Sequence, residues 1–69
     1  MSAIALSSLT ARQREIVMLA ANGLSNKEIA RRLGLSEGTV KLHLHNIYTQ
    51  LGIRNRTALV GLVHTPRPA

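Results

Sequence analysis

The chain has no cysteine, tryptophan, phenylalanine or aspartate, and Tyr48 is its only aromatic residue. Without cysteine, neither a disulfide nor a thiolate metal site can brace the fold. Without other aromatics, the core must come from Leu, Ile, Val and Ala, which are plentiful. Acidic residues are nearly missing: only Glu15, Glu28 and Glu37 could serve as catalytic carboxylates, and each fits a helix start or a surface. No glycine-rich phosphate loop is present. His43 and His45 stand two apart, about 160° from each other around a helix, so they cannot share a metal from one face. His64 is isolated near the end and reads as a surface residue. This inventory predicts a protein that is not an enzyme, with no metal, no cofactor and no small-molecule ligand in this domain. Long hydrophobic runs are also missing. The longest uncharged apolar-rich stretch, Ile16 to Leu24, is far too short to span a bilayer. Met1 to Leu9 lacks the basic start and long apolar run of a secretory signal, which predicts a cytoplasmic protein without a membrane partner.

What is present is basic charge. Nine Lys and Arg face three acidic residues, a net charge of +6 on 69 residues. A chain of this length makes one domain with a small core and a thin margin of stability. Charge of one sign at this density attracts polyanions through a long-range, salt-sensitive field. Nucleic acid is the leading candidate. An anionic membrane surface comes second, but no stretch resembles a basic amphipathic anchor.

Helix signals follow in close order. Thr10-Ala-Arg-Gln13 fits a capping box, and the helix it opens runs to about Ala21 with Ile16, Leu19 and Ala20 on a buried stripe. Asn22-Gly23 ends it. Ser25-Asn-Lys-Glu28 is a second capping box, with Leu24 and Ile29 as its hydrophobic staple. That helix stops at Leu33 before Gly34, and Ser36 then caps a third helix with Leu35 and Val40 repeating the staple. Only Gly34, Leu35 and Ser36 separate the two, so they must cross steeply, as in a helix-turn-helix. The small Ala30 lets them approach closely. The third helix, 37–51, buries Val40, Leu44, Ile47 and Leu51, and Gly52 stops it. Asn55 caps a last helix with Ala58, Leu59 and Leu62 on one face. No segment alternates with period two for long enough to be a strand, and no repeat occurs. The expected fold is an all-α, compact four-helix helix-turn-helix domain over 9–64. A flexible N-terminal segment, 1–8, and a flexible tail with two prolines, 65–69, flank it.

The outer face of the third helix holds Gly38, Leu42, His45 and Thr49, flanked by Lys41 and Asn46. A leucine at the centre of a polar stripe suits contact with a thymine methyl in the major groove. The plain alternative is one of the single exposed leucines that most proteins carry. Lys41 can reach guanine acceptors or a phosphate, or simply be solvated. His45 and Asn46 can meet bases or phosphates. Thr39 can donate to a phosphate, and the helix starting at Ser25 and Asn26 can aim free amides at one. Lys27 sits there against its helix dipole, which points to phosphate binding rather than helix stability. Arg54 and Arg56 form a second basic cluster at the last helix start. Arg31 and Arg32 read as solvated. The working assignment gives Lys41, Leu42 and His45 to bases. Ser25, Asn26, Lys27, Thr39, Asn46, Arg54 and Arg56 are given to phosphates.

Three blocks carry a resemblance: Leu9-Thr-Ala-Arg-Gln-Arg-Glu15, Gly23-Leu-Ser-Asn-Lys-Glu-Ile-Ala30 and Leu35-Ser-Glu-Gly-Thr-Val-Lys-Leu-His43. Together with Leu51-Gly-Ile-Arg-Asn-Arg-Thr57 they resemble the LuxR-type (GerE/NarL-like) helix-turn-helix, from Leu9 to Val63. Gln13 departs from the Glu that many members carry but keeps the capping role. Leu42 and His45 lie where members differ, so no target sequence carries over. The resemblance implies a four-helix unit that binds double-stranded DNA as a homodimer, with the third helix in the major groove. The last helix would make the dimer contact, and Val60 and Val63, read as lying off its core face, are the expected interface; ordinary burial or chance exposure is the alternative. Members usually carry a receiver or ligand-sensing domain as well. The stretch Gly38 to Tyr48 is similar to the response-regulator branch, so the implied role is the output domain of a two-component response regulator, excised or naturally minimal. Two rival readings fit the same residues. One is a sigma-factor-like promoter-binding domain, which requires RNA polymerase as partner. The other is a protein-interaction module without specific DNA binding.

Overall fold

The computed structural model describes residues 8–64, which form four helices and no strand. Most of the expected flexible N-terminal segment and all of the expected tail lie outside the described residues. In chain order the helices are α1 (Ala11–Ala21), α2 (Asn26–Leu33), α3 (Glu37–Leu51) and α4 (Arg56–Val63).

Each helix starts where a side chain satisfies its free amides. Thr10 Oγ1 accepts from the Gln13 amide at 3.1 Å, and Gln13 Oε1 accepts from the Thr10 amide at 2.8 Å. Ser25 and Glu28 repeat the reciprocal pair at the same distances. Ser36 caps α3 through the Thr39 amide, and Asn55 caps α4 through the Ala58 amide. Capping boxes act within four residues and need no tertiary partner for their hydrogen bonds. The tight turn between α2 and α3 depends on Gly34, which sits at φ +69, a left-handed conformation that other residues adopt only with strain. The Leu35 amide then reaches back to the Ala30 carbonyl at 2.8 Å and closes the helix end.

Packing follows from the apolar stripes. α2 crosses α3, and α1 packs against all three other helices. Ile16, Ile29, Val40, Ile47 and Leu59 are fully buried at the common centre. Ala30 is buried as well, consistent with close approach of α2 and α3. The expected stripe on α1 is too narrow: Val17 and Ala21 are buried beside Ile16 and Ala20, while Leu19 is only half-buried. A helix surrounded by three neighbours buries a wider arc than a surface helix. α4 departs further from expectation. Ala58 is exposed, and Val63 packs against the core one turn beyond Leu59. The inner stripe is therefore Arg56, Leu59 and Val63, at i, i+3 and i+7.

A side-chain relay fastens the start of α1 to the end of α3. Gln13 Nε2 donates to Gln50 Oε1 at 3.1 Å, and Gln50 Nε2 donates to the Ser8 carbonyl at 3.2 Å. Arg14 donates to the carbonyl of the buried Leu9 at 2.8 Å. Near the other end, His64 Nε2 lies 3.1 Å from the Ala21 carbonyl, so this exposed ring is tied to α1 rather than isolated. No helix among the described residues is long and apolar enough to cross a membrane.

Candidate nucleic-acid interface

Among the described residues α3 is the longest helix, and only its inner side is taken up by the core. Val40 and Ile47 are fully buried, and Leu44 is 3% exposed. On the opposite side Gly38, Leu42, His45 and Thr49 face solvent, with Lys41 and Asn46 beside them. Leu42 is 61% exposed. The outward projection expected for this residue is therefore what the structure has. Thr49 is less available than its position suggests, because its hydroxyl donates to the His45 carbonyl at 3.1 Å.

The first turn of α3 has a second polar feature. Ser36 Oγ and Thr39 Oγ1 stand 2.8 Å apart while Ser36 Oγ also accepts from the Thr39 amide. When Ser36 supplies the proton between the hydroxyls, the Thr39 proton is left for an outside acceptor.

A cleft of about 320 Å³ opens between the start of α2 and the middle of α3, lined by Asn26, Lys41, Leu44, His45, Tyr48 and Arg56. It brings together residues from three helices. Lys41 and His45, expected at bases, line it together with Asn26 and Arg56, expected at phosphates. Tyr48, half-buried, is a member that the sequence reading missed. Its signal was its place one turn after Leu44, at the edge of the inner stripe. Ser25 and Lys27 are exposed at the same end of α2. Asn46 and Arg54 are also exposed.

Arg56 is the residue whose surroundings differ most from expectation. Expected to hold a phosphate in a basic cluster with Arg54, it is half-buried and donates inward. Nη1 donates to the Leu24 carbonyl at 2.7 Å and Nη2 to Asn26 Oδ1. Its place three residues before Leu59, on the inner side of α4, was the available sign. Val63 likewise packs against the core, and Val60 is half-buried.

Charge around the site is mostly positive, with Glu28 the nearest anion in sequence to Lys27. The backbone amide of Ser25, then its hydroxyl, hold the Glu28 carboxyl below the ordinary carboxylate value; Arg31 and Arg32 add to this and desolvation opposes it. Its charge is thus committed to the helix start. Among the described residues no three His, Cys, Asp or Glu side chains gather in a metal-binding group.

Known proteins share this arrangement of sequence. The family described as bacterial regulatory proteins, luxR family, matches residues 7–63. SgaR of Hyphomicrobium methylovorum, a "Probable transcriptional regulatory protein", is 53% identical over 57 residues, covering 83% of this chain and 27% of that protein. The monoamine regulon transcriptional regulator of Klebsiella aerogenes is 50% identical over 58 residues, or 84% of this chain and 26% of that protein. The CsgBAC operon transcriptional regulatory protein of Escherichia coli is 48% identical over 52 residues, 75% of this chain and 24% of that protein. The chain spans about a quarter of the length of these relatives.

Proposed function

The chain belongs to the luxR family of bacterial regulatory proteins, as a helix-turn-helix domain of transcription regulators, and from that premise we propose that it reads double-stranded DNA by placing α3 in the major groove. One observation carries this reading. Leu42 stands 61% exposed between Lys41 and His45 on a helix whose other side is closed by the core. An apolar tip between hydrogen-bonding neighbours matches a thymine methyl flanked by base acceptors. Lys41, Leu42 and His45 contact bases. Lys27, Ser25, Asn26, Thr39, Asn46 and Arg54 contact phosphates and set the register. Arg56, expected among the phosphate contacts, has its guanidinium engaged by the Leu24 carbonyl and Asn26, so it stands behind this set rather than in it.

The working form is a homodimer joined through α4, with Val60 and the part of Val63 left open by the core at the contact. The domain serves as the output domain of a two-component response regulator in the cytoplasm. Relatives about four times its length, named as transcriptional regulators, support a role within a longer regulator.

Selection of bound duplexes from a random pool, followed by sequencing, tests the function. We expect enrichment of one sequence arranged as an inverted repeat, because two-fold protein symmetry imprints itself on the site. Recovery of DNA with no enriched sequence would overturn base reading, and an enriched single half-site would overturn the dimer.

A further inference from the structure

We propose that Arg56 is a positioning residue: it holds the Asn26 side chain so that its amide donates to a DNA phosphate, and makes no phosphate contact itself. The inference rests on the DNA-binding reading above and adds to it the residue that sets the geometry of one contact.

Arg56 and Asn26 are thirty residues apart and open different helices. The Arg56 guanidinium forks between the Leu24 carbonyl at 2.7 Å and Asn26 Oδ1. A guanidinium carries donors only, so the Asn26 atom facing it must be the oxygen. The orientation of the carboxamide, which is often ambiguous, is decided here by its partner. With Oδ1 turned to Arg56, the two Nδ2 protons are left for the cleft that Asn26 shares with Lys41 and His45. Without the fork the carboxamide can rotate and present its oxygen instead, which repels a phosphate. The second prong also matters. By binding the Leu24 carbonyl, Arg56 anchors the chain two residues before Asn26 and fixes where that side chain starts.

This assigns Arg56 a role distinct from that of a surface cation. A direct phosphate contact tolerates lysine, because the charge is kept. A fork between two acceptors does not, because an ammonium cannot match its planar geometry.

The test measures binding of the full chain to a 20-base-pair duplex of arbitrary sequence across a salt series. Four proteins are compared: wild type, Arg56→Lys, Asn26→Ala and the double variant. Each is held well below its own melting temperature. Loss of one hydrogen bond to a charged acceptor corresponds to about tenfold in affinity. We expect Arg56→Lys and Asn26→Ala each to lose about tenfold, and the double variant to lose no more than either. The salt slope should stay at the wild-type value throughout. Equal affinity for Arg56→Lys and wild type would overturn the proposal and favour direct contact. Losses that multiply in the double variant would overturn it in favour of a merely structural role. If Arg56→Lys does not fold, Asn26→Ala still decides, since wild-type affinity there leaves no amide contact to position. Failure of wild type to bind any duplex at low salt is a separate result that overturns the DNA-binding reading and this inference with it.

Discussion

Leu42 and Leu44 lie two residues apart on α3 and face opposite ways, the first 61% exposed and the second 3%. Two residues turn a helix by about 200°, so one side chain in the core places the other in solvent. The same residue type therefore has two separable roles. Leu44→Ala should cost roughly 2–5 kcal/mol of stability through lost burial and a cavity. Leu42→Ala should leave the melting temperature almost unchanged, as surface substitutions usually do. Thermal unfolding followed by circular dichroism compares them directly. Equal destabilisation would mean that Leu42 packs against the domain in solution.

Base and phosphate contacts separate by their dependence on sequence and salt. Lys41→Ala and Leu42→Ala should each reduce the preference for the selected site over random DNA by roughly 1–3 kcal/mol. Lys27→Ala should weaken binding to both alike and lower the salt slope by about 0.9, the value for one released counterion. Fluorescence anisotropy titrations at several salt concentrations report both quantities. Identical behaviour of all three variants would contradict the division of roles.

The Glu28 carboxyl gives a pH dependence with a definite sign. Its hydrogen bonds with the Ser25 amide and hydroxyl depress its value in the folded chain below the ordinary 4.5. A depressed carboxylate stabilises the fold above its unfolded value, and that contribution is lost as pH falls through the folded value. Melting temperature should therefore fall on acidification from about pH 4.5 downward. Glu28→Gln should fall less steeply over that window. Parallel curves for the two proteins would show that the carboxylate does not supply this part of the dependence.

Gly34 isolates backbone strain from crowding. A methyl group added there meets nothing within 4 Å, yet the residue sits at φ +69. Gly34→Ala should then cost about 1–2 kcal/mol, the penalty of the left-handed conformation alone. In a domain of this size that corresponds to a fall of several degrees in melting temperature. An unchanged melting temperature would mean that the turn relaxes to another conformation.

These residues also show what the sequence can reveal. Thr10 with Gln13 and Ser25 with Glu28 were readable because donor and acceptor lie three residues apart and need no tertiary partner. The faces of α3 were readable because four apolar positions recur over fifteen residues. α4 has eight residues, and its run Ala58-Leu-Val-Gly-Leu-Val63 is apolar nearly all round. Periodicity cannot choose between Leu62 and Val63 in such a stretch; packing on α1 does. The place of Arg56 three residues before Leu59 marked its side of α4, but its partners lie 30 and 32 residues away, and no local pattern encodes that approach. The Gln13 to Gln50 bond was hidden for the same reason. The cleft beside α3 was thus visible in most of its residues but not in its internal hydrogen bonding.

The sharpest measurement replaces the thymines of the selected site by deoxyuridine, one at a time, and titrates each duplex with wild type and with Leu42→Ala. Removing one methyl from an apolar contact should cost wild type about 0.8 kcal/mol, roughly fourfold, at one position in each half-site. Leu42→Ala should be indifferent to the change at that position. If wild type and variant respond alike at every thymine, Leu42 does not touch a base.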